Sequence, residues 1–306
     1  MILRYAYKNI TWVDLERPTQ EELRQIVAEW GIHPLVAQEL IGKSLRPKVE
    51  LYPNFIYLII HLPIIRRKNF QRLIEQQEID IIIGKNFIIT SRQDPIDSLQ
   101  QFSKLFEVNS ILDRGDMAEH AGFVFFYMIR ALYESLTHEL ESVTDTIRDI
   151  EDNIFKGKER AMVIKLSEVS RELLGVKRAT SLHKEILESF DSAARRFFGE
   201  NFSFHTQAII GEYYKVDNAI RGALDSIAEL RETNNSLLNT KETETMKMIT
   251  VVAFLTLPVS VITNFFQMTT VNTPIVGQTN DWLIVTAISL TSTLLLVILA
   301  KVKKWF

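Results

Sequence analysis

Two long apolar runs dominate the C-terminal part of the chain, Ile249–Phe266 and Trp282–Ala300. Each is close to the ~20 residues that an α-helix needs to cross the hydrocarbon core of a bilayer. Asp281 is the only charged residue between Lys247 and Lys301. A buried hairpin in a soluble domain is the alternative, but core helices of this length normally keep one polar face. The pattern therefore predicts two transmembrane helices.

The charges that flank these runs predict their orientation. The segment between the runs contains no Lys or Arg, whereas Lys301, Lys303 and Lys304 form a basic tail after the second run. Lys and Arg near the ends of spans favour the cytoplasmic side, and the N-terminus lacks an apolar run of signal-peptide length. We therefore expect a multi-pass protein of the cell membrane with both termini in the cytoplasm.

Residues 1–110 mix β-branched and aromatic runs with short helical patterns, which is typical of an α+β domain. An amphipathic helix is expected from Pro18 to near Gly31, a second short helix after Pro34 and a third after Pro95. Six segments are strand candidates: residues 1–7, 11–15, 46–52, 54–65, 75–83 and 86–93. A Gly-Lys-Asn turn makes the last two a hairpin.

Residues 111–200 have the apolar period of two packed helices. Apolar residues at steps of three and four predict a coiled-coil-like contact. The seam of the first helix consists of Tyr133, Leu136, Leu140, Val143, Ile147, Ile150 and Ile154, and that of the second, over residues 159–198, of Leu166, Val169, Leu173 and Val176. An antiparallel hairpin that turns at residues 156–158 is the simplest arrangement.

Residues 201–268 are predicted to form one long stalk helix that continues into the first span. No proline follows Gly199 until Pro258, inside the apolar run. An unbroken helix over residues 204–266 would be about 95 Å long at 1.5 Å per residue. Residues 269–281 then form the outer loop, and residues 282–306 contain the second span and the basic tail.

Composition excludes several classes of function. The formal net charge of −3 is spread along the chain, so no basic patch points to nucleic acid. The absence of cysteine excludes disulfides, thiolate catalysis and Cys-ligated zinc. No Gly-rich phosphate loop or metalloprotease motif is present, and the acidic segment 151–159 is typical of a solvated helix end. We therefore predict neither an enzyme nor a prosthetic group.

Two spans cannot enclose a pore in one chain, so conduction would require an oligomer. One stripe of the first span carries small or polar groups at alternating steps of three and four: Thr243, Met246, Thr250, Ala253, Leu257, Ser260 and Asn264. A carboxamide at membrane depth costs free energy unless it is paired or wet. A ring of Asn264 side chains would offer oxygen ligands to a hydrated cation, and a hydrogen bond to a neighbouring helix is the alternative. The hydroxyl-rich second span is predicted to face lipid.

The order of these parts resembles the CorA family of divalent-cation transporters over essentially the whole chain. The resemblance rests on TWVDLERPTQEEL at 11–23, EIDIIIGKNFIIT at 78–90, KKWF at 303–306 and the segments 46–63 and 243–266. It implies a homopentamer with a funnel-shaped cytoplasmic domain and a pore lined by the first span. Met246 and Ile249 match the family's hydrophobic gate, although periodicity alone favours Thr250. The positions that match the pore farther out are Leu257, Ser260 and Asn264.

The chain departs from the family at its signature. The Gly-Met-Asn that receives the hydrated ion at the outer mouth falls on Gln267, Met268 and Thr269, so only the Met is kept. Gln267 lacks the backbone freedom of glycine, and Thr269 offers a hydroxyl in place of an amide. We expect Asn264, Gln267 and Asn272 to form an amide-lined entrance instead.

The family also senses cytoplasmic magnesium through acidic residues between subunits. The matching position on the stalk helix is Ala208, so that site is not carried over. Glu212 lies one helical turn after Ala208, and together with Asp94 it is a candidate for a substitute metal site. The alternative is that both are exposed acids that bind no ion.

The resemblance thus implies a homopentameric channel for divalent cations, with Mg²⁺ as the favoured ion, embedded in lipid. A Zn²⁺ or Co²⁺ transporter of the same fold is one alternative, because the outer mouth is altered. A non-conducting membrane-anchored scaffold or regulator is another.

Overall fold

The computed structural model describes residues 1–42, 44, 46–68, 71–107, 120–268, 277 and 279–302. The side chains of residues 65–73 are outside this description. The chain divides into two compact units, Met1–Arg231 and Glu232–Phe306.

A six-stranded mixed sheet forms the centre of the first unit. Its strands are β1 (Ile2–Tyr7), β2 (Ile10–Glu16), β3 (Lys48–Leu51), β4 (Phe55–Lys68), β5 (Gln71–Gly84) and β6 (Phe87–Arg92). Their spatial order is β1-β2-β6-β5-β4-β3, with β2 and β6 parallel and the other pairs antiparallel. All six predicted strands are confirmed, as is the hairpin between β5 and β6.

Helices cover both faces of this sheet. On one face, α1 (Gln20–Trp30) and α2 (Pro34–Glu39) bury their apolar residues against the strands. A capping box begins α1, because the Thr19 hydroxyl accepts from the Glu22 amide and the Glu22 carboxylate accepts from the Thr19 amide. On the other face, Trp12 packs against aromatic rings of α3 (Asp97–Glu107).

The predicted helical hairpin is confirmed as α4 (Gly122–Phe155) and α5 (Glu159–Thr180). Every predicted seam residue is buried except Leu136, which is half-buried. The turn contains Gly157 with φ of 86°, a backbone conformation that favours glycine.

The single helix predicted for residues 159–198 is wrong, because α5 ends at Thr180 and α6 spans His183–Phe198. The Thr180 and Ser181 hydroxyls donate to carbonyl oxygens of the last turn of α5. Such side-chain bonds compete with the continuing backbone ladder of a helix. Two residues, Ser181 and Leu182, therefore separate α5 from α6.

The predicted unbroken stalk helix is confirmed as α7 (Ser203–Gln267), which contains Pro258 and follows a 3₁₀ turn at Glu200–Phe202. The first turn of α7 is held by Asp191 of α6. The Asp191 carboxylate accepts from the hydroxyls of Thr206 and Ser203. Burial raises the pKa of Asp191, but the bonds from Thr206, Arg195 and Ser203 together outweigh burial and hold this pKa below its usual range. The last helix is α8 (Asp281–Val302).

Candidate functional site

Two helices in the part of the chain that the structure describes are long and apolar enough to cross a membrane. They are the C-terminal part of α7 and the whole of α8, which correspond to the two apolar runs of the sequence. Both are almost entirely unburied within the single chain. Apolar helices without a protein cover are stable when lipid or further protein surrounds them.

One side of the α7 span is turned toward α8. Burial recurs on α7 at Val251, Leu255, Val259 and Ile262, and Val251 is only 5% exposed. On α8, the small residues Ser289, Ser292 and Thr293 are half-buried, and Ala300 is only 1% exposed. Pro258 and the facing residues of α8 also line one apolar groove of about 770 Å³. These positions mark the contact within the helical pair.

The predicted pore stripe lies on a different side of α7. All of its members are exposed in the single chain: Thr243, Met246, Ile249, Thr250, Ala253, Leu257, Ser260 and Asn264. Ile249 and Thr250 are both exposed, so the choice between them stays open. No hydrogen bond joins the Asn264 amide to another described residue. The stripe is thus an exposed face of α7 in the single chain.

Several hydroxyl groups of both spans bond within their own helices, whereas the buried Ser289 hydroxyl has no partner among the described residues. On the stripe, Thr250 donates to the carbonyl oxygen of Met246 at 2.8 Å and Ser260 to that of Thr256 at 3.1 Å. On α8, Thr286, Thr291 and Thr293 donate in the same way. A hydroxyl that donates to its own helix keeps acceptor lone pairs. The stripe therefore presents oxygen acceptors beside apolar side chains.

The predicted outer mouth is described only in part. Gln267 is the last residue of α7, Met268 follows it, and both are exposed. Thr269 and Asn272 lie outside the described residues. At the start of α8, the Asp281 carboxylate accepts from the amides of Gly277 and Trp282. This acid therefore satisfies the helix terminus, which favours negative charge.

At the other end of α8, Lys301 is exposed, while Lys303 and Lys304 of the predicted basic tail lie outside the described residues.

The candidate regulatory acids each have a cationic neighbour in the single chain. Asp94 is 2.6 Å from Arg17, and Glu212 is 2.8 Å from Lys215 on its own helix. Ala208 is exposed. No three His, Asp or Glu side chains among the described residues are close enough to share a metal ion. One chain does not assemble a carboxylate cage from these residues.

A buried polar network in the sheet was not foreseen from the sequence. Arg92 is 2% exposed and its guanidinium binds Asp14 and Glu16 on β2. Thr90 joins this network by donating to Asp14 and accepting from the indole of Trp12. The available signal was an acid within the apolar strand TWVDL and an arginine at the end of NFIITSR. Buried ionic groups require such partners.

The comparisons with known proteins agree with this architecture. Residues 7–304 match the family model described as CorA-like Mg²⁺ transporter protein. The chain is 21% identical over 296 residues to the cobalt/magnesium transport protein CorA of Thermotoga maritima, covering 96% of this chain and 83% of that protein.

Two full-length solved structures share the fold. The CorA magnesium transporter from Methanocaldococcus jannaschii aligns with a TM-score of 0.82 at 17% identity, covering 97% of this chain and 92% of that one. The full-length CmaX protein aligns with a TM-score of 0.72 at 14% identity, covering 93% and 86%.

Proposed function

This chain belongs to the CorA-like Mg²⁺ transporter family, and from that premise we propose that it is a homopentameric channel that conducts Mg²⁺ through a pore lined by α7. The family consists of ion transporters and not of enzymes. The pentamer, the ion and the lining residues are the parts of this proposal that go beyond family membership.

The observation that carries the proposal is the uncovered stripe of α7. Two helices cannot surround an aqueous path, whereas a ring of α7 helices can, with α8 outside. In such a ring, the side of α7 that is turned away from α8 would face the axis. That side carries the exposed residues from Thr243 to Asn264.

The chemistry of the stripe suits an ion that keeps its water. Mg²⁺ dehydrates reluctantly and is bound mainly through oxygen ligands and retained waters. Ser260 and Asn264 would offer acceptors to the water shell, while Met246 and Ile249 would form apolar rings at the cytoplasmic end. Hydrophobic constrictions gate by excluding water. Opening would require the long α7 helices to tilt and widen the ring at Met246.

The outer mouth would be lined by amides. Gln267 and Met268 follow the stripe at the end of α7, and Asn272 would complete the entrance with Asn264. The positive-inside tendency of Lys301, Lys303 and Lys304 favours cytoplasmic termini in the cell membrane. Asp94 and Glu212 stay candidates for a regulatory cation site, which would need ligands from a neighbouring subunit.

The experiment is divalent-cation uptake into proteoliposomes that contain the purified protein, with Mg²⁺, Zn²⁺ and Co²⁺ in parallel. Met246→Asp should alter Mg²⁺ flux, because it places a carboxylate in the narrow apolar ring. Met248→Asp is the matched control, because Met248 is equally exposed but lies off the stripe. If Zn²⁺ or Co²⁺ is taken up faster than Mg²⁺ in competition, that ion and not Mg²⁺ is the preferred substrate.

A non-conducting scaffold is tested by water accessibility of the stripe. The chain has no cysteine, so a thiol reagent reacts only with a cysteine that is introduced by substitution. Cysteines at Ser260 and Asn264 should react with small hydrophilic thiol reagents in the membrane, whereas one at the half-buried Ile262 should not. No reaction at the stripe, and no flux from a folded oligomer, would favour the scaffold.

A further inference from the structure

The hairpin of α4 and α5 has an exposed side on each helix, opposite the buried seam between them. On α5, this side is a stripe at alternating steps of four and three: Arg160, Ile164, Ser167, Arg171, Leu174 and Arg178. Arg171, for example, lies two positions from the buried Val169 and from the buried Leu173, and two positions turn a helical side chain by about 200°. Ile164 is 65% exposed and Leu174 47%. The stripe thus presents cations and large apolar side chains together.

The three arginines of this stripe have no acidic partner among the described residues. Arg171 makes one weak contact, from its Nε atom to the backbone carbonyl oxygen of Ser167 at 3.4 Å. A guanidinium group carries five N–H donors whose geometry suits carboxylates. The stripe therefore fits an acidic surface that also covers Ile164 and Leu174.

The exposed side of α4 is such a surface. It carries four exposed acids opposite the seam: Glu134, Glu141, Asp145 and Asp152. Each of them pairs with a cation three or four residues away at 2.9–3.4 Å. Exposed ion pairs of this kind contribute little to stability. They therefore leave the acids able to accept from a second partner.

We propose that the exposed side of α5 docks against the exposed side of α4 in a second copy of this chain. The two sides lie on opposite faces of one hairpin, so each copy offers one of each. A contact between two different surfaces of identical chains forms a ring when the rotation closes. This inference rests on the proposed homopentamer, and it names a surface that joins neighbouring subunits.

The heights of the charges along the hairpin support this contact. Lys165 of α5 approaches Asp149 of α4 at 4.0 Å within one chain, so the two residues lie at about the same height. Rotation about an axis parallel to the hairpin moves a copy sideways and leaves every height unchanged. Residues that are level within one chain are therefore also level between neighbours in such a ring.

Each arginine of the stripe is level with an acidic part of the neighbouring α4. Counting from the pair of Lys165 and Asp149 places Arg171 level with Val143, which lies between Glu141 and Asp145. Two helical residues correspond to roughly 3 Å in height, which a long side chain spans. The expected pairs are Arg160 with Asp152, Arg171 with Glu141 or Asp145, and Arg178 with Glu134. Complementary charges of this kind fix register and exclude wrong partners.

Cross-linking of the full-length protein in proteoliposomes tests the contact. The chain has no cysteine, so Asp145→Cys and Ser167→Cys together supply the only thiols. The two positions lie on opposite sides of one hairpin and within two residues of the same height. A short bifunctional maleimide should therefore link different copies, and a denaturing gel should show a ladder that ends at the size of the ring.

Two controls define the contact. Either cysteine alone should give no ladder, because the contact joins two different surfaces. Asp145→Cys combined with Ser189→Cys, at an exposed position on α6, should give at least tenfold less linked product. Mass photometry of each variant before cross-linking shows whether the oligomer is intact.

Charge reversal in the chain with both cysteines separates a specific contact from mere proximity. Arg171→Glu should lower the yield of linked copies at least fivefold, and adding Glu141→Arg should restore at least half of it. Arg196→Glu, an exposed position on α6, should leave the yield unchanged. Raising the salt concentration should lower the yield of the parent chain, because the pairs are exposed.

The contact is overturned if an intact oligomer gives no ladder, or if the yield does not respond to Arg171→Glu. A protein that stays monomeric in the bilayer overturns both the contact and the proposed pentamer. Mg²⁺ uptake is a separate readout. Uptake without a ladder removes the contact and leaves the channel, whereas a ladder without uptake removes the channel and leaves the contact.

Discussion

The Nε2 atom of His183 donates a hydrogen bond to the backbone carbonyl oxygen of His61 across 2.7 Å. Because a carbonyl oxygen can only accept, Nε2 carries the proton and Nδ1 is left as an acceptor. The Tyr133 hydroxyl then donates to Nδ1 at 2.8 Å. His183 is fully buried. One neutral imidazole thus joins β4 of the sheet to α4 and α6.

Removing this imidazole should destabilise the first unit. We expect His183→Ala to lower the free energy of unfolding by about 3 kcal/mol, from two lost buried hydrogen bonds and the cavity that remains. Urea unfolding of the detergent-solubilised protein, followed by tryptophan fluorescence, measures this change. His138→Ala is the matched control, because His138 is exposed on α4 and its loss should change stability by less than about 0.5 kcal/mol. Equal effects of the two substitutions would contradict the assigned role of His183.

The same residue should make stability depend on pH. Burial lowers the pKa of His183 from its usual 6.5 to about 4. Below pH 6.5 the unfolded chain binds a proton that the folded chain does not, so the stabilising contribution is complete above 6.5 and is lost as the pH falls to about 4. The loss should reach about 3 kcal/mol. Unfolding curves measured at several pH values should show a flatter profile for His183→Phe than for the wild type.

The close approach of α5 to β5 at Gly175 should not tolerate a side chain. A Cβ atom at Gly175 would lie 2.8 Å from the Cβ of Ile74. Gly175→Ala should therefore lower stability by about 1–3 kcal/mol through overpacking, although alanine favours helices. Gly211→Ala on α7 is the control, because its Cβ would meet open space. That change should raise stability by up to about 1 kcal/mol. Stabilisation by both substitutions would contradict the close contact.

The proposed amide-lined entrance should affect the rate and ion selectivity of uptake. We expect Asn264→Ala to lower Mg²⁺ uptake about tenfold, which corresponds to the loss of one hydrogen bond of about 1.4 kcal/mol to the ion's water shell. Asn272→Ala should change the competition between Mg²⁺ and Co²⁺ at the mouth. Thr291→Ala is the control, because its hydroxyl bonds the carbonyl of Ala287 on α8. Unchanged flux and selectivity in both Asn variants would remove the amide entrance from the proposal.

Most helices and strands were predicted from the sequence, because apolar residues recur with a different period in a helix than in a strand. The seam from Tyr133 to Ile154 and the alternation in the strands reflect which side of an element is buried. The break of the helix near Ser181 was missed, because nothing in the apolar period changes there. His183, the first residue of α6, bonds the backbone of His61, which is distant in sequence and cannot be paired with it from a local pattern.

Part of the candidate site was also predicted from local sequence patterns, and part was not. Periodicity found the stripe from Thr243 to Asn264, and the structure shows those residues exposed on a side of α7 that is separate from the α8 contact. The polar network of Asp14, Thr90 and Arg92 could not be read from the chain, because it forms only where β2 and β6 lie side by side.

The sequence by itself determined the two spans, the long helix before them, the helical hairpin and the family. These features depend on hydrophobicity and periodicity within continuous segments, which are local properties. Only the tertiary structure decided which strands pair and which buried ions and imidazoles meet. Those relationships join residues far apart in the chain, because burial makes each polar group depend on whatever the fold places beside it.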